Sequence, residues 1–237
     1  MPLSFATGYL IDHQTMEITM DFDYQFFDAQ TIPAQSWKNG GGKTQEIISY
    51  PDSSDWSNFI WRVSIAQIEK SGPFSVFEGI DRIICLLKGD GVVLHHANAS
   101  SHVLNRVLAP YAFKGEDSIN SELLGQTSDD LNLMTRRNLA KGSLEVLHTS
   151  THLTLEANCF YFCMVQTGQW RFYLENQNSD TPFLSCQNRQ GFWSQAVQQT
   201  NTLIAQASAN THSLHDEKPA LIVMKIQLLP VATHENF

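Results

Sequence analysis

The sequence predicts an all-β protein. Apolar side chains come in short runs separated by turn-forming clusters, and these runs are not interleaved with recurrent helical segments. A chain of 237 residues with 42% hydrophobic side chains can form one large β domain or two small lobes. Together these features favour a sandwich, a jelly roll or two jelly rolls side by side.

Three strands are expected in the first quarter of the chain. Residues 22–27 are rich in aromatic side chains, which suits a strand, and residues 46–50 form a short apolar run that ends at a turn cluster beginning with Pro51. Residues 59–66 alternate, with Trp61, Val63 and Ile65 on one apolar face and Arg62 on the other. We therefore expect Arg62 to face either solvent or a cavity.

The middle of the chain continues this pattern. Residues 83–87 form an apolar run with no polar face, which is typical of a strand covered on both sides. The sequence Gly89-Asp90-Gly91 then predicts a hairpin turn into residues 92–94. Residues 131–137 form a later strand, in which Asn132, Met134 and Arg136 share one face.

The last part of the chain shows the same short-strand spacing, interrupted by a polar segment. The expected strands are residues 143–147, 151–156, 159–165, 170–174 and 220–226. Residues 175–218 are rich in Gln, Asn, Ser and Thr, and we expect one helix within 194–209 and a long loop elsewhere. Residues 1–21 carry no motif and are interpreted as an N-terminal extension.

The charge of the chain narrows the range of partners. A formal net charge of −9 argues against binding to nucleic acid or to an anionic membrane surface, although a local basic pocket for a small anion remains compatible with it. The first residues lack the basic and apolar regions of a signal peptide, and no segment approaches a membrane span. A cytoplasmic protein is expected, and the residues leave open whether it is a monomer or a homodimer.

The four cysteines do not form a metal-binding or disulfide pattern. Cys159 and Cys163 would share a strand face about 13 Å apart, too far for a disulfide. No Cys-x-x-Cys pair of the zinc type is present. We expect all four to be free, buried thiols.

A glycine-rich stretch at residues 37–47 has the composition of a binding site. Three consecutive glycines, 40–42, stand beside Lys38, Asn39, Lys43 and Thr44. Their backbone N–H groups could form an anion-binding concavity, and the alternative is an ordinary glycine-rich turn. Gly42-Lys43-Thr44 resembles the end of a phosphate-binding P-loop, but Trp37 occupies the position of its first glycine, so a nucleotide triphosphatase is not expected.

Four sequence motifs, in this order and spacing, resemble the HutD/Ves family. They are Trp37-Lys38-Asn39-Gly40-Gly41-Gly42-x-Thr44-x-Glu46-Ile47, Trp61-Arg62-x-Ser64-Ile65-Ala66, Gly72-Pro73-Phe74-Ser75-x-Phe77-x-Gly79-x-Asp81-Arg82 and Asp130-x-Asn132-x-Met134-x-Arg136-Arg137. The resemblance covers residues 22–174 and, by position, the closing strand at 220–229. Residues 1–21 and 175–218 look like additions to the usual family length.

The resemblance implies a fold, a setting and a ligand. The implied fold is a cupin-type β-barrel in a bicupin arrangement, with one lobe at about 22–142 and another at about 143–237, the latter carrying the polar insertion 175–218. The family consists of bacterial cytoplasmic proteins associated with histidine utilisation or stress response. Its HutD branch looks like a regulatory small-molecule binder, with N-formylglutamate as the proposed ligand.

The histidines do not show the metal-binding pattern of many cupins. That pattern needs alternate strand residues, whereas His95 and His96 are adjacent and point to opposite faces. His148 and His152 lie about 13 Å apart along a strand and are interpreted as surface residues. We therefore expect no metal, no other cofactor and no catalytic residue.

A set of polar residues beside apolar strand faces is the candidate ligand site. Arginine side chains bind carboxylates through two parallel hydrogen bonds, and amides or hydroxyls fix the orientation of a ligand. With the motif residues of the family added, the candidate ligand-binding residues are Lys38, Asn39, Gly40, Gly41, Thr44, Arg62, Ser64, Phe74, Arg82, Asn132 and Arg136. Each arginine has the alternative of a structural ion pair, for which Asp81 and Glu46 are available partners.

Three functions are compatible with these residues. The first is a non-catalytic protein that binds a small anionic metabolite and regulates a catabolic pathway or a stress response. The second is a metal-free cupin isomerase or hydrolase, in which Glu46 or a histidine acts as general base in the same cavity as Arg62. The third is a partner-binding module that uses the glycine loop as a protein contact and has no enclosed pocket.

Overall fold

A computed structural model describes residues 22–52, 58–98, 100–175, 181–208 and 218–230. The expected N-terminal extension, residues 1–21, lies outside these ranges. In the described residues the secondary structure is entirely β, as the sequence predicts, and no helix is long and apolar enough to cross a lipid bilayer.

Nineteen strands form in the described part of the chain. In chain order they are β1 Tyr24–Asp28, β2 Gln35–Ser36, β3 Gly42–Tyr50, β4 Trp61–Ile68, β5 Gly72–Pro73, β6 Ile80–Gly89, β7 Val92–His96, β8 Ser101–Leu104, β9 Pro110–Lys114, β10 Ile119–Leu123, β11 Ser128–Arg136, β12 Ala140–Leu147, β13 Thr151–Leu155, β14 Cys159–Thr167, β15 Gln169–Leu174, β16 Leu184–Gln187, β17 Gln190–Ser194, β18 Asn201–Ser208 and β19 Ala220–Leu228.

The chain divides into two compact units, each built from two chain segments. We call the described residues within 28–147 and 222–230 the first unit, and those within 22–27 and 148–221 the second unit. The chain passes from one unit to the other between residues 27 and 28, between 147 and 148, and between 221 and 222. The lobe boundary expected near residue 142 stays a prediction.

The first unit contains two antiparallel sheets and one further strand pair. A six-stranded sheet has the order β2-β3-β4-β11-β6-β9, a four-stranded sheet has the order β5-β10-β7-β8, and β12 lies beside β19. Buried side chains from both sheets form one hydrophobic cluster: Ile68, Ile84, Leu86, Val92, Leu94, Leu104, Phe113 and Ile119. The two sheets thus pack face to face over a shared core.

The register of the six-stranded sheet brings distant residues together. Met134 on β11 lies opposite Arg62 on β4 and Arg82 on β6. In the next row of the same face, Asn132 lies opposite Ser64 and Ile84. Because alternate residues share a face, these two rows lie on one side of the sheet, while Trp61, Val63 and Ile65 are buried on the other.

The second unit contains a four-stranded sheet with the order β13-β18-β15-β16. It also contains the strands β1, β17 and β14, which pair with one another in that order. The helix expected within 194–209 is wrong, because β17 extends to Ser194 and β18 covers 201–208. In β18 the alternate residues Leu203 and Ala205 are buried, and the strand pairs with β13 and with β15. The long loop expected for the polar segment is also wrong where β16, β17 and β18 form.

Candidate functional site

A cavity of about 710 Å³ lies within the first unit, on the inner face of the six-stranded sheet. Eight of the eleven residues that the sequence singled out line it: Lys38, Asn39, Thr44, Arg62, Ser64, Phe74, Arg82 and Asn132. They come from the glycine loop, β3, β4, β6, β11 and the segment after β5. A volume in this range suits a metabolite-sized ligand.

Arg82 is the central charged group of the cavity. Its side chain is buried, and its guanidinium group packs against the rings of Phe113, Phe74 and Phe77 at 4.8, 5.4 and 5.6 Å from their centroids. Burial, with a smaller contribution from nearby Arg62, lowers the pKa of Arg82 to about 10. This direction shows that the surroundings disfavour the positive charge.

The hydrogen bonds of Arg82 include no counter-ion from the described part of the chain. Nη2 donates to Oδ1 of Asn132 across 2.8 Å, while Nε is buried and has no hydrogen-bond partner. No carboxylate in the described residues lies within ion-pair distance of this guanidinium group. An anionic group from a ligand would supply the missing partner.

Arg62 lies opposite Met134 in the same sheet but is already paired. Its Nε donates to Oε2 of Glu46 across 2.5 Å, and Nη1 contacts Sδ of Met134 at 3.8 Å. The pair is asymmetric, since 6% of the Arg62 side chain is exposed and 38% of the Glu46 side chain is. Arg62 thus forms the structural ion pair with Glu46 that was the alternative for it, and Lys43 pairs with Glu69.

Asn132 is held in one orientation by the backbone of its own strand. Its Nδ2 donates to the carbonyl oxygen of Asp130 across 3.2 Å, so Oδ1 points to Arg82. Asp130 itself is fully buried, and Ser128 donates a hydrogen bond to its Oδ2 across 3.0 Å. Burial raises the pKa of the Asp130 carboxyl to about 7, while the Ser128 hydrogen bond partly opposes this effect.

The glycine loop forms the tip of the hairpin between β2 and β3. It closes through hydrogen bonds from Trp37 N to Gly42 O and from Gly40 N to Trp37 O, and Trp37 Nε1 donates to Thr44 Oγ1 across 2.7 Å. Gly40 has a φ of 65°, which suits glycine. A side chain at Gly42 would collide with the carbonyl group of Gln67.

Gly40 and Gly41 are not among the described residues that line the cavity, and their assignment as ligand-binding residues stays a prediction. The N–H of Gly40 donates to Trp37 O across 3.0 Å, and the N–H of Gly41 donates to Oδ1 of Asn39 across 3.0 Å. Both donors are therefore used within the loop, which favours the alternative of a glycine-rich turn over an anion-binding concavity. The loop instead places Lys38 and Asn39, both exposed, at the cavity.

Arg136 is also placed outside the cavity. Its Nε donates to the carbonyl oxygen of Phe59 across 3.2 Å, and its guanidinium carbon lies 6.0 Å from the centre of the Phe59 ring. At the end of β11 it thus contacts the chain that leads into β4. Neighbouring Arg137 binds Asp81 and Glu116, so Asp81 is not a partner of Arg82.

Several wall residues did not stand out in the sequence. Apolar side chains that complete the wall are Trp37, Ala66, Ile68, Phe77, Ile84 and Met134. Trp37, Phe77 and Met134 lie inside the family motifs, and this position was the sequence signal that could have identified them as wall residues. Phe113, which packs against Arg82 from β9 (Pro110–Lys114) beside β6, lies outside these motifs.

None of the histidines and cysteines in the described ranges lines this wall. His95 contacts Ser101 and Glu122, while His96 contacts Tyr111, so the two adjacent rings point to different partners. Within the described ranges no three His, Cys, Asp or Glu side chains form a group that could hold a metal ion. All four cysteines are buried and none forms a disulfide, and burial raises the pKa of Cys85 and of Cys186 to about 12.

Comparisons with known proteins give consistent matches. A family model described as HutD matches residues 29–218. The Ves protein of Cronobacter sakazakii is 36% identical over 182 residues, covering 76% of this chain and 92% of that protein. The Ves protein of Citrobacter koseri is 42% identical over 123 residues, covering 52% of this chain and 63% of that protein.

Solved structures match over most of the chain. A conserved protein of unknown function from Pseudomonas aeruginosa has a TM-score of 0.73 at 25% identity, covering 88% of this chain and 100% of that chain. HutD from Pseudomonas fluorescens has a TM-score of 0.71 at 20% identity, covering 87% and 100%. An oxalate decarboxylase from Bacillus subtilis has a TM-score of 0.54 at 8% identity, covering 95% and 86%, which shows the cupin-type fold alone.

Proposed function

The chain belongs to the HutD/Ves family, and we propose that it is a non-catalytic protein that binds a small carboxylate metabolite such as N-formylglutamate and regulates histidine catabolism or a stress response. The family relationship supports the pathway, and the cavity of the first unit supports the class of ligand. N-formylglutamate offers a carboxylate for the guanidinium group of Arg82 and a formamide for the amide and hydroxyl groups on the wall.

One observation carries this proposal: Arg82 is a buried guanidinium group without a protein carboxylate among the described residues. Removing a charge from water costs several kcal/mol, and in a stable fold that cost is usually offset by an opposite charge. Here Asn132 supplies one neutral acceptor and three phenyl rings supply cation–π contacts. A ligand carboxylate at this position would complete the pair.

The remaining wall suits the body of such a ligand. Trp37, Ile68 and Met134 provide apolar surface, while Thr44 and Ser64 carry hydroxyl groups beside it. Exposed Lys38 gives the opening a second positive charge. The wall thus offers cationic and hydroxyl groups to a molecule that has an acidic end and a short polar body.

The enzyme alternative requires a general base in the cavity. The titratable side chains on its described wall are Lys38, Arg62 and Arg82; carboxylate, histidine and cysteine side chains are not among its described lining residues. Glu46, the acid considered for this role, is hydrogen-bonded to Arg62. The wall therefore favours binding over proton transfer, and a cavity of about 710 Å³ with a buried cation on its wall favours a small ligand over a purely partner-binding module.

Isothermal titration calorimetry with N-formylglutamate, urocanate, histidine and glutamate tests the proposal. We expect heat of binding for N-formylglutamate with the unmodified protein. Arg82→Gln should weaken it at least about 100-fold, because a charge-assisted pair is lost. Arg106→Gln, at an exposed arginine of the same unit, is the matched control and should leave the affinity unchanged.

Circular dichroism on each protein establishes that it is folded. The proposal is wrong if folded protein gives no heat with any of the four compounds. It is also wrong if Arg82→Gln, with an unchanged spectrum, binds N-formylglutamate as tightly as the unmodified protein.

A further inference from the structure

The two buried arginines of the cavity differ in their counter-ions. Arg62 is bound by Glu46 across 2.5 Å, whereas no carboxylate of the described residues pairs with Arg82. Both guanidinium groups lie on the same face of the sheet, in line with Met134. The site therefore contains two similar cations, of which one is neutralised.

Glu46 can change the charge inside the cavity although it is not one of the residues that form the wall. It lies on β3 opposite Ser64 of β4, two residues beyond the wall residue Thr44, and is not itself a lining residue. Its side chain is 38% exposed, so it keeps contact with solvent while neutralising a guanidinium group that is 6% exposed. A pair arranged in this way persists without a ligand, because the cost of burying Arg62 is already offset.

We infer that Glu46 sets the charge selectivity of the site. By pairing with Arg62, Glu46 leaves Arg82 as the buried cation that is available to a ligand. The cavity therefore binds one carboxylate, and a second carboxylate on the ligand adds little affinity. This inference rests on the proposed function. The second carboxylate of a dianion would meet a guanidinium group whose charge is already matched. Lys38 at the opening is exposed, and a solvent-screened ammonium group adds little affinity.

Two nearly isosteric probes separate ligand charge from ligand shape. N-formyl-L-glutamate carries two carboxylates, and N-formyl-L-glutamine replaces the side-chain carboxylate by an amide of almost the same size. Calorimetry with the unmodified protein should give dissociation constants for the two that differ by less than about fivefold. This measurement needs no variant, and a preference for the dianion of about tenfold or more would overturn the inference.

Glu46→Gln removes the negative charge while keeping an acceptor for Nε of Arg62. Because Arg62 then has an unmatched charge, N-formylglutamate should bind at least about tenfold more tightly, and N-formylglutamine should change by less than about threefold. Glu46→Asp, which retains the charge, should restore the lower ratio of affinities. Glu69→Gln is the matched control, since Glu69 pairs with Lys43 rather than with a cavity arginine, and it should leave both constants unchanged.

The outcomes distinguish this inference from the proposed function. If Glu46→Gln is folded and shifts both probes equally, or neither, Glu46 does not set selectivity, although the protein still binds carboxylates. If neither probe binds the folded, unmodified protein, the proposed function fails and the inference fails with it. If Glu46→Gln does not fold, the ratio of the two constants in the unmodified protein decides.

Discussion

Arg82 and Asn132, fifty residues apart in sequence, are joined by a 2.8 Å hydrogen bond from Nη2 to Oδ1 on neighbouring strands. The amide of Asn132 is held from the other side by the Asp130 carbonyl group, so the guanidinium group meets a fixed and neutral acceptor. A carboxylate in place of this amide would neutralise the positive charge of Arg82 from within the protein. Neutrality at position 132 thus keeps Arg82 available to a ligand.

Asn132→Asp should abolish or strongly weaken ligand binding while leaving the protein folded. An aspartate would form an internal ion pair with Arg82, and a ligand carboxylate would then meet a neutralised and partly repelling site. We expect affinity for N-formylglutamate to fall at least about tenfold in calorimetry. Asn120→Asp, the same change at an exposed position of β10, should have no effect, and equal affinity of both variants would contradict the role given to Asn132.

Replacing Arg82 by methionine should remove binding and raise stability. An apolar side chain of similar length suits a position beside three phenyl rings and eliminates a buried charge that has no carboxylate in the described structure. We expect Arg82→Met to increase the free energy of unfolding by about 1–3 kcal/mol, measured by urea denaturation without ligand. A variant less stable than the unmodified protein would show that the cation–π contacts outweigh the cost of burying the charge.

Asp130 should make stability depend on pH. Its pKa is raised to about 7 in the folded protein from an ordinary value of 3.8, so between these values the folded state holds a proton that the unfolded chain has lost. Stability attributable to this group therefore falls as pH rises from about 4 to about 7, by up to about 4 kcal/mol. Asp130→Asn should gain stability over the unmodified protein as pH increases.

Urea denaturation of both proteins at pH 4.5 and at pH 8 measures this effect, because other titrating groups are common to the two. Ser128 can still donate to the amide oxygen of the variant. A stability difference that is the same at both pH values would contradict the raised pKa of Asp130.

Gly42→Ala should disrupt the hairpin that carries Lys38 and Asn39. A methyl group at this position would collide with the backbone carbonyl of Gln67 and lie 3.1 Å from the Trp37 ring. We expect a loss of about 2 kcal/mol or more in stability, together with weaker ligand binding. Gly72→Ala, where nothing lies within 4 Å, should change stability by less than about 0.5 kcal/mol; similar losses in the two variants would refute the steric argument.

Alternation along strands was enough to predict much of the first unit. The pattern around Trp61, Val63 and Ile65 correctly placed Arg62 on the opposite face, because the side-chain direction of a strand depends only on its parity. The family motifs then indicated which polar residues belong together. Their meeting on one wall depends on the order β4-β11-β6, a tertiary pairing that local pattern does not contain.

Where the structure differs from the sequence-based expectations, the difference has a physical cause. Gly40 and Gly41 supply N–H groups, but a sequence does not show that Trp37 O and Asn39 Oδ1 already accept from them. Arg136 shares the parity of Asn132, yet it lies at the end of β11, where the Phe59 carbonyl group is in reach. The polar composition of 201–208 hid a strand, because pairing on both edges outweighed weak local propensity.

The order in which the chain passes between its two units determines when the first unit can be completed during translation. The first unit begins at residue 28 but is finished only by the segment from residue 222 onward, where β19 lies beside β12. A nascent polypeptide in which β19 has not yet been translated thus lacks one strand of the unit that holds the ligand cavity. Alleles with a premature stop codon upstream of β19 should therefore produce chains that degrade or aggregate, even though every cavity-lining residue has been translated.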